Sequence, residues 1–549
     1  MKQIILTFLF IQIWTSCLAQ ASLIDSLYPK AMQLYNAKNY KQSAILFDNI
    51  FFIQKISDPV ILYNASCVFS LNGEVDKSLN VLLELAEKYY YSSYKHLTTD
   101  TDLDNLHNSP KWITLVEKVS QNKSTLPQRK RTKIRNELLK AKKLLEADNG
   151  KLWGVSLWND RFLVLDNDNT VYTLNNLLPN SNNDSLLYYK PIKEQTLQQT
   201  NTNQTFEGEK WATVQDSYVT AKDSSQTIIH ELFHLHHLGQ MSLSGNIVEY
   251  LDDYKARIFL RSEFEALRNC LKSIQINKES NAKQFLNDAI YFRTEREKMF
   301  KKYNKNALEL ETLEGLATYT GYKLSAFTNL YPIAIKELNG REQTYGLNRS
   351  FAYATGLAYG IIFDYFKIQW RTDLKHIYSF TGIYNNQIKT IHFKKKEIKD
   401  IKTRNQFYQI NQEELNRKNT TDSIHSFYQN IFKKQPVLII KMDTSNKTPL
   451  TMSYDMNSTF TFGKDGIIYS SISGTSPNAS LFGSFKTTGE TTIGKSGILI
   501  SSKFDKLTFT KPLKVEGNTI FGDYYTIELN KGWKVIQIDK KGNMEIVKE

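Results

Sequence analysis

Apolar residues follow two spacings along this chain, and the spacings divide it into helical and sheet-forming regions. Over 20–119, 133–147 and 306–322 apolar positions recur every three or four residues, which is the period of a helix with one buried face. Over 152–174 and 437–548 apolar and polar residues alternate between turns rich in Gly, Asn and Asp, which predicts strands. The chain is therefore expected to be a multidomain α+β protein.

Two stretches near the start of the chain repeat one another. The segment Asn39–Phe47 (NYKQSAILF) aligns with Glu74–Leu82 (EVDKSLNVL) at an offset of 35 residues. This pattern resembles tetratricopeptide repeats (TPR), helical hairpins with a period of about 34 residues. The resemblance implies a small stack of hairpins that could bind a protein partner. A pair of unrelated helical hairpins is the alternative.

Linker, strand and loop signals fill the region between the repeats and the middle of the chain. Residues 126–131 are basic and contain a proline, which predicts a linker. The runs Phe162–Asp166 and Thr170–Leu174 predict a β-hairpin. The polar stretch 180–206 predicts an exposed loop, and Trp211–Val214 predicts a short strand ahead of the next helix.

One helix carries the chemistry that the sequence predicts. Thr227–Gly239 (TIIHELFHLHHLG) is apolar over most of a helix circumference, which indicates a buried helix, and Gly239 is typical of a position just past a helix end. Residues four apart lie on one helix face, so His230 and His234 can bind one zinc ion. Glu231 can then act as general base on zinc-bound water. The alternative is a core helix whose histidines are hydrogen-bonded within the protein.

A catalytic zinc site needs a third protein ligand, and two glutamates are candidates. Glu314 lies in LETLEGLATYTG, where Gly315 and Ala317 would allow close approach to the histidine helix. This stretch resembles the second ligand helix of the gluzincin metallopeptidases. Glu249, in EYLDD, also resembles such a ligand, but it follows the histidine helix so soon that little chain is left to present a second helix. We favour Glu314 and keep Glu249 open.

Peptide hydrolysis also needs a hydrogen-bond donor for the developing oxyanion. Four side chains after the candidate ligand could supply it: Tyr319, Arg349, Tyr353 and Tyr359. Gluzincins often use a Tyr or His from a later helix, so the resemblance selects Tyr353.

Other charged residues near these motifs have simpler expected roles. Glu263 is expected to form a salt bridge at the surface or between helices, with orientation of a ligand histidine as the alternative. His237, at the helix end, is expected to interact with the helix dipole or cap the helix, and His236 to point elsewhere. Glu309 and Glu311 are expected to be solvated.

The resemblance to gluzincins implies a function. The chain is expected to be a zincin-like metallopeptidase that hydrolyses peptide bonds in a peptide or protein substrate, with zinc held by His230, His234 and Glu314. Glu231 and Tyr353 would be the catalytic residues. The alternative is a non-catalytic interaction module of the cell envelope that retains a metallopeptidase-like fold.

The first residues predict export. Lys2, an apolar run from Ile4 to Ile13 and the small residues before Gln20 form a secretory signal pattern, with cleavage expected after Ala19. The protein is therefore expected to be secreted or periplasmic. Lipoprotein anchoring at Cys17 is the alternative. No later apolar run reaches 18 residues, so no transmembrane segment is expected in the mature chain.

Charge and cysteine content exclude other classes of protein. The net charge of +14 is spread along the chain, and no recognised binding module is present, so nucleic-acid binding is not expected. Only Cys67 and Cys270 follow the signal, in different predicted domains, which excludes a disulfide framework. Both are expected to be buried small apolar residues.

These observations divide the chain into six predicted segments. They are a signal peptide (1–19), TPR-like helices (20–125), a linker helix with a β-hairpin (126–205), a mainly helical zincin-like domain with a small sheet (206–384), a polar linker (385–436) and a β-rich domain (437–549).

Overall fold

The computed structural model describes the chain from residue 26 to 549 apart from short gaps. The gaps are residues 54, 55, 57, 194, 195, 222, 223, 239–242, 244, 246, 247, 345, 372, 373, 375, 389–393, 443–450, 455–458, 476–480, 490 and 491. The predicted signal peptide, Cys17 and the predicted helix stop at Gly239 therefore lie outside the described residues.

The chain forms two compact units, each described separately below. The first comprises residues 1–147 and 158–231, and the second comprises 148–157 and 232–549. One boundary between the units falls inside helix α8 (Ser225–Leu238). The two predicted zinc-binding histidines both stand on this helix, which is uninterrupted.

Four helices begin the first unit: α1 (26–36), α2 (Tyr40–Ile53), α3 (Pro59–Leu71) and α4 (Val75–Lys88). Ser43 and Ser78 occupy equivalent places in the two hairpins, and both are fully buried. The Ser43 hydroxyl donates to the carbonyl of Ala31 at 2.8 Å, and the Ser78 hydroxyl donates to that of Ser66 at 2.7 Å. Each acceptor lies 12 residues before its donor, so the two helical hairpins share one packing contact, and their assignment as TPR-like repeats stays a prediction.

The linker predicted over 126–131 is wrong, because helix α6 runs through Pro127 without a break. It follows α5 (Tyr94–Thr99) and a 3₁₀ turn (Thr101–Leu106), and it spans Pro110–Asp148. Proline inside a helix removes a backbone hydrogen bond. In the turn before the proline, the side chain of Thr125 donates to the carbonyl of Gln121 at 3.0 Å, and that of Arg129 donates to the carbonyl of Asn122 at 2.5 Å.

Side chains on the second half of α6 contact the turn that carries Asp166, the start of a short helix and the residue before helix α8. Lys130 makes ion pairs of 2.7 Å with Asp166 and 2.9 Å with Asp216. Glu137 accepts a hydrogen bond of 2.8 Å from the hydroxyl of Ser224, the residue before α8. The ammonium group of Lys130 is shared by the two carboxylates with which it pairs. It therefore holds the turn that carries Asp166 next to the short helix α7 (Asp216–Val219).

A six-stranded sheet completes the first unit, in the order β3-β4-β2-β1-β6-β5. Its strands are β1 (Phe162–Leu165), β2 (Thr170–Thr173), β3 (Asn182–Asp184), β4 (Leu187–Pro191), β5 (Thr202–Phe206) and β6 (Glu209–Gln215). The β1–β2 hairpin and the strand at Trp211–Val214 are confirmed. The loop predicted over 180–206 is wrong, since strands β3, β4 and β5 lie there. Strand β6 is internal, and β5 is the edge strand beside it.

Helices form the first part of the second unit. They are α9 (Tyr254–Gln275), α10 (Glu279–Met299), α11 (Asn304–Leu310), α12 (Leu316–Leu324), α13 (Tyr331–Glu342), α14 (Ser350–Tyr365), α15 (Phe380–Gln387), α16 (Lys395–Arg404) and α17 (Phe407–Gln429). Helix α9 begins at an Asp253 N-cap, whose carboxylate accepts from two backbone N–H groups and contributes about 1 kcal/mol.

The segment 385–436, predicted as a polar linker with two short helical patterns, is occupied for the most part by helices α16 and α17, so helix is confirmed there and a linker is wrong. Glu414 of α17 is almost completely buried and pairs with Arg257 of α9 at 2.8 Å. Tyr428, near the end of α17, is fully buried and donates to the carbonyl of Ser496 at 2.8 Å. Helix α17 therefore connects α9 to the C-terminal sheets.

The C-terminal region is β-rich, as predicted. Its strands are β7 (Val437–Lys441), β8 (Thr451–Tyr454), β9 (Thr459–Thr461), β10 (Ile467–Tyr469), β11 (Ile472–Thr475), β12 (Gly483–Thr487), β13 (Ile498–Ile500), β14 (Lys506–Thr510), β15 (Lys514–Glu516), β16 (Thr519–Phe521), β17 (Tyr525–Leu529), β18 (Trp533–Gln537) and β19 (Met544–Lys548). They form a seven-stranded and a six-stranded sheet. Phe509 of one sheet packs against Phe485 and Tyr525 of the other, so the sheets share a core.

Within the described part of the chain, no helix is both long and apolar enough to cross a membrane.

Candidate metal centre

Helix α8 presents two histidines and a carboxylate from a buried position. His230 and His234 stand one turn apart, and Glu231 follows the first of them. All three are buried. The helix is held by fully buried apolar side chains: Ile228, Ile229, Leu232 and Phe233. The buried helix predicted from the sequence is therefore confirmed. Burial of its polar side chains costs free energy unless hydrogen bonds, ion pairs or a metal ion replace the water that they lose.

Glu314 stands on a widened helical turn. A π-helical segment, Glu311–Gly315, separates α11 from α12 within one continuous run of helix. Such single turns occur often at functional sites, because the extra residue shifts the side chains that follow it around the helix. Glu314 is buried, as the two histidines are.

The three predicted ligands are close together. One donor atom from each of His230, His234 and Glu314 can be chosen so that all lie within 4.8 Å of one another. The Nε2 atom of His234 is 3.3 Å from the Oε2 atom of Glu314. Tetrahedral zinc with bonds of about 2.0–2.1 Å places its ligand atoms about 3.4 Å apart, so this pair fits such an ion. Two imidazoles and a carboxylate are also a common ligand set for catalytic zinc.

The alternative ligand, Glu249, does not join this group. It is exposed and lies in a four-residue 3₁₀ turn, Glu249–Asp252, rather than on a ligand helix. Asp253 caps helix α9 by accepting from the backbone N–H groups of Lys255 and Ala256.

Tyr353 and Arg349 both form hydrogen bonds with the Glu314 carboxylate. The Nη2 atom of Arg349 donates to Oε1 of Glu314 at 2.5 Å, and its Nη1 atom donates to the carbonyl of Gly245 at 2.6 Å. The hydroxyl of Tyr353 also hydrogen-bonds Glu314. Burial, followed by the negative charge of Glu314, raises the pKa of Tyr353, so this hydroxyl is protonated at neutral pH and can donate.

The other two tyrosines considered as oxyanion donors lie in the core. Tyr319 is fully buried and donates to Asp364 at 2.7 Å. Tyr359 is also fully buried and donates to Glu263 at 3.0 Å. Neither adjoins Glu314 through a hydrogen bond, whereas Tyr353 does.

The expectation that Glu309 and Glu311 are solvated is wrong for both residues, since both are buried. Glu311 receives two hydrogen bonds from Arg293, of 2.8 and 2.5 Å. Arg293 also donates to Glu263 at 2.7 Å, so Glu263 forms a buried salt bridge between helices and not a surface one. Burial alone would raise the pKa of Glu263, but Arg293 and Arg296 outweigh burial and lower it. This pairing anchors the π turn that carries the candidate ligand.

Gly315 permits a different close approach from the one predicted. A Cβ atom added to it would lie 2.9 Å from the carbonyl oxygen of Ala352 and 3.0 Å from the Cα of Gly356. The small residue therefore lets the π turn contact helix α14. The predicted close approach to the histidine helix stays a prediction for this residue.

The two remaining histidines of α8 are partly or fully buried. His237 lies in the last turn of the helix and is fully buried, and its role with the helix dipole or as a cap stays a prediction. Burial, followed by the positive charge of His234, lowers the pKa of His237 to about 4. Burial also lowers the pKa of His236, which is half-buried.

Sequence reasoning missed Trp153. Its indole ring packs against Phe233 of α8 with ring centroids 5.8 Å apart, and its Nε1 atom donates to the hydroxyl of Thr320 on α12 at 2.9 Å. It therefore bridges the helices that carry His234 and Glu314. A tryptophan just after a long helix was the only sequence signal, and it does not identify these partners.

A second group of donor atoms lies in the helical repeats, formed by Cys67, Asp100 and Asp102. Tyrosine hydroxyls already donate to its carboxylates: Tyr63 to Asp100 at 2.8 Å, and Tyr35 to Asp102. Burial and then the charge of Asp100 raise the pKa of the Cys67 thiol. This arrangement is a hydrogen-bonded cluster between helices. As predicted, Cys67 and Cys270 are buried and form no disulfide.

Comparison with protein-family models, with curated proteins and with solved structures found no match.

Proposed function

We propose that this chain is a zinc-dependent metallopeptidase. The observation that supports the proposal is the buried group of His230, His234 and Glu314, with Glu231 beside it. A structural zinc site usually closes its coordination with Cys or His and needs no neighbouring base. The donor set with an adjacent carboxylate fits hydrolysis better.

Each side chain has a distinct role in the proposed reaction. His230, His234 and Glu314 would hold the ion, which when bound polarises a carbonyl and makes water more acidic. Glu231 accepts the proton of the attacking water and passes it to the leaving amine. Tyr353 is the proposed donor to the oxyanion that develops on the peptide carbonyl, and its single O–H would turn from the Glu314 carboxylate to make that bond.

The rest of the proposal follows the sequence patterns. The first helices are TPR-like and would offer a surface to a protein partner, and the region around the metal centre has a zincin-like fold. The signal pattern places the mature protein outside the cytoplasm, either secreted or in a periplasm. A peptide or an unfolded protein is the proposed substrate.

Metal content and cleavage of a denatured polypeptide mixture test the proposal directly. We expect about one zinc per chain, and cleavage that a chelator stops and added zinc restores. Replacing Glu231 by Gln should lower cleavage by about 100- to 10,000-fold without loss of zinc, because it removes only the proton acceptor.

The exposed Glu249 offers a matched control for that variant. Glu249→Gln makes the same chemical change outside the metal centre and should leave cleavage unchanged. Full cleavage by Glu231→Gln would rule out the mechanism. Absence of both zinc and cleavage in the wild type would favour the alternative function, a non-catalytic interaction module of the envelope.

A further inference from the structure

Arg349 connects the candidate ligand to the chain that follows the histidine helix. One guanidinium nitrogen donates to Oε1 of Glu314 at 2.5 Å, and the other terminal nitrogen donates to the carbonyl of Gly245 at 2.6 Å. Its side chain is about half exposed, at 43%. Both terminal nitrogens are thus directed to protein groups.

Hydrogen bonds from the neighbouring residues fix the backbone that carries Arg349. The N–H of Val248 donates to the carbonyl of Asn348 at 2.8 Å. The carboxylate of Asp252 accepts from the backbone N–H of Leu347 at 3.2 Å and from the side-chain amide of Asn348 at 2.9 Å. Leu347 and Asn348, just before Arg349, are therefore held against Val248 and Asp252.

The two oxygens of Glu314 have different neighbours as a result. Oε1 receives Arg349, while Oε2 lies 3.3 Å from Nε2 of His234, and Tyr353 is a further hydrogen-bond partner of the carboxylate. A charge-assisted hydrogen bond on one oxygen leaves the other to face the histidines. Carboxylate ligands of metals are commonly oriented in this way by a hydrogen-bonded partner.

We infer that Arg349 is a positioning residue that holds Glu314 as a ligand through its Oε2 atom alone. The inference rests on the proposed function, and it assigns Arg349 a role other than stabilising the oxyanion. The guanidinium spans a carboxylate and a backbone carbonyl with a rigid fork of donors. A lysine ammonium is a point charge that does not reproduce this fork.

Zinc affinity of the full chain, measured by competition with a chromophoric chelator, tests the inference. Loss of an outer partner of a ligand typically weakens metal binding about 10- to 100-fold, and we expect Arg349→Ala to do so. Arg349→Lys should recover part of that loss.

Arg161 offers a matched control. Its side chain is 44% exposed, close to the 43% of Arg349, and pairs at 3.2 Å with an exposed carboxylate, Glu209, so Arg161→Ala removes an equally exposed arginine from outside the metal centre. It should leave zinc affinity unchanged.

Cobalt(II) provides a readout that a merely structural role would not change. Cobalt spectra report coordination geometry, so Arg349→Ala should alter the visible absorption of the Co²⁺-loaded chain, and Arg161→Ala should not. The zinc-free unfolding temperature of Arg349→Ala should fall, because the buried Glu314 carboxylate loses its cation, so the cobalt spectrum and not stability identifies the positioning role.

The outcomes separate this inference from the proposed function. Wild type that binds zinc together with Arg349→Ala of equal affinity overturns the inference and leaves the function standing. Wild type that binds no zinc overturns both. If Arg349→Ala does not fold, Arg349→Lys decides, and unchanged affinity in that variant overturns the inference.

Discussion

At the scale of single residues, burial controls charge on helix α8. His237 is fully buried three residues after His234, and burial is the largest cause of its lowered pKa of about 4. An unfolded histidine titrates near 6.5. Between these two values the unfolded chain binds a proton that the folded chain does not bind, so acid favours unfolding in this window.

Replacing His237 by Gln should therefore flatten the dependence of stability on pH. In zinc-free wild type the contribution of His237 is complete above pH 6.5 and falls by about 3 kcal/mol as the pH drops to 4. Urea unfolding of both proteins between pH 4 and 7 measures the difference. Equal slopes for the two proteins would show that folded His237 takes up a proton as readily as unfolded histidine.

At the scale of elements, the π turn and helix α14 meet backbone to backbone. A Cβ atom on Gly356 would lie 2.2 Å from the Cα of Gly315, closer than any real contact. Glu314 precedes Gly315 directly, so the crossing of these two elements sets where the candidate ligand stands. Arg293 holds the other end of the turn through Glu311.

Gly356→Ala should separate the π turn from α14. We expect a loss of about 1–3 kcal/mol in the free energy of unfolding, together with weaker zinc binding as Glu314 moves from His234. Gly340→Ala, in α13 with open space at its Cβ, should instead stabilise the chain by about 0.4–1 kcal/mol. Thermal unfolding and chelator competition measure both effects. Unchanged zinc affinity in Gly356→Ala would show that the contact between the π turn and α14 does not determine the position of Glu314.

At the scale of the whole second unit, helix α17 unites the helices and the C-terminal sheets. Its Glu414 pairs with Arg257 and Arg261, while Tyr428 reaches the sheets. Burial alone would raise the pKa of Glu414, but Arg257 and Arg417 outweigh it and lower the pKa. The carboxylate is therefore ionised and paired inside the unit.

Two adjacent glutamates of α17 should differ sharply when replaced by alanine. Glu414→Ala leaves the buried guanidinium of Arg257 without its closest carboxylate and should cost about 3–5 kcal/mol. Glu413 is 44% exposed, so Glu413→Ala should cost only about 0–1 kcal/mol. Chemical unfolding of the full-length variants measures both values. Similar losses would show that α17 is not packed as a structural element of the unit.

Most regular helices and strands were predicted correctly from local sequence pattern. The errors arose in segments whose structure depends on contacts with residues distant in the sequence. Helical spacing and alternation predicted the first helical hairpins, helix α8, the β1–β2 hairpin and the C-terminal strands, because neighbours in sequence set each period. The errors at 126–131 and 385–436 came from polar composition, which also suits helices with one packed face. Side-chain partners distant in the sequence, such as Arg257 for Glu414, make those helices part of the units.

At the metal centre, too, local sequence pattern accounts for some residues and long-range packing for others. The sequence by itself determined that His230 and His234 lie on one face of a helix, because residues four apart stand one above the other there, and that Glu231 directly follows the first histidine. Only the tertiary structure decided that Glu314 faces those histidines while nearby Glu311 turns to Arg293. Both glutamates lie in one helical stretch, so the difference depends on the π turn and on helices packed from elsewhere in the chain, which local pattern does not encode.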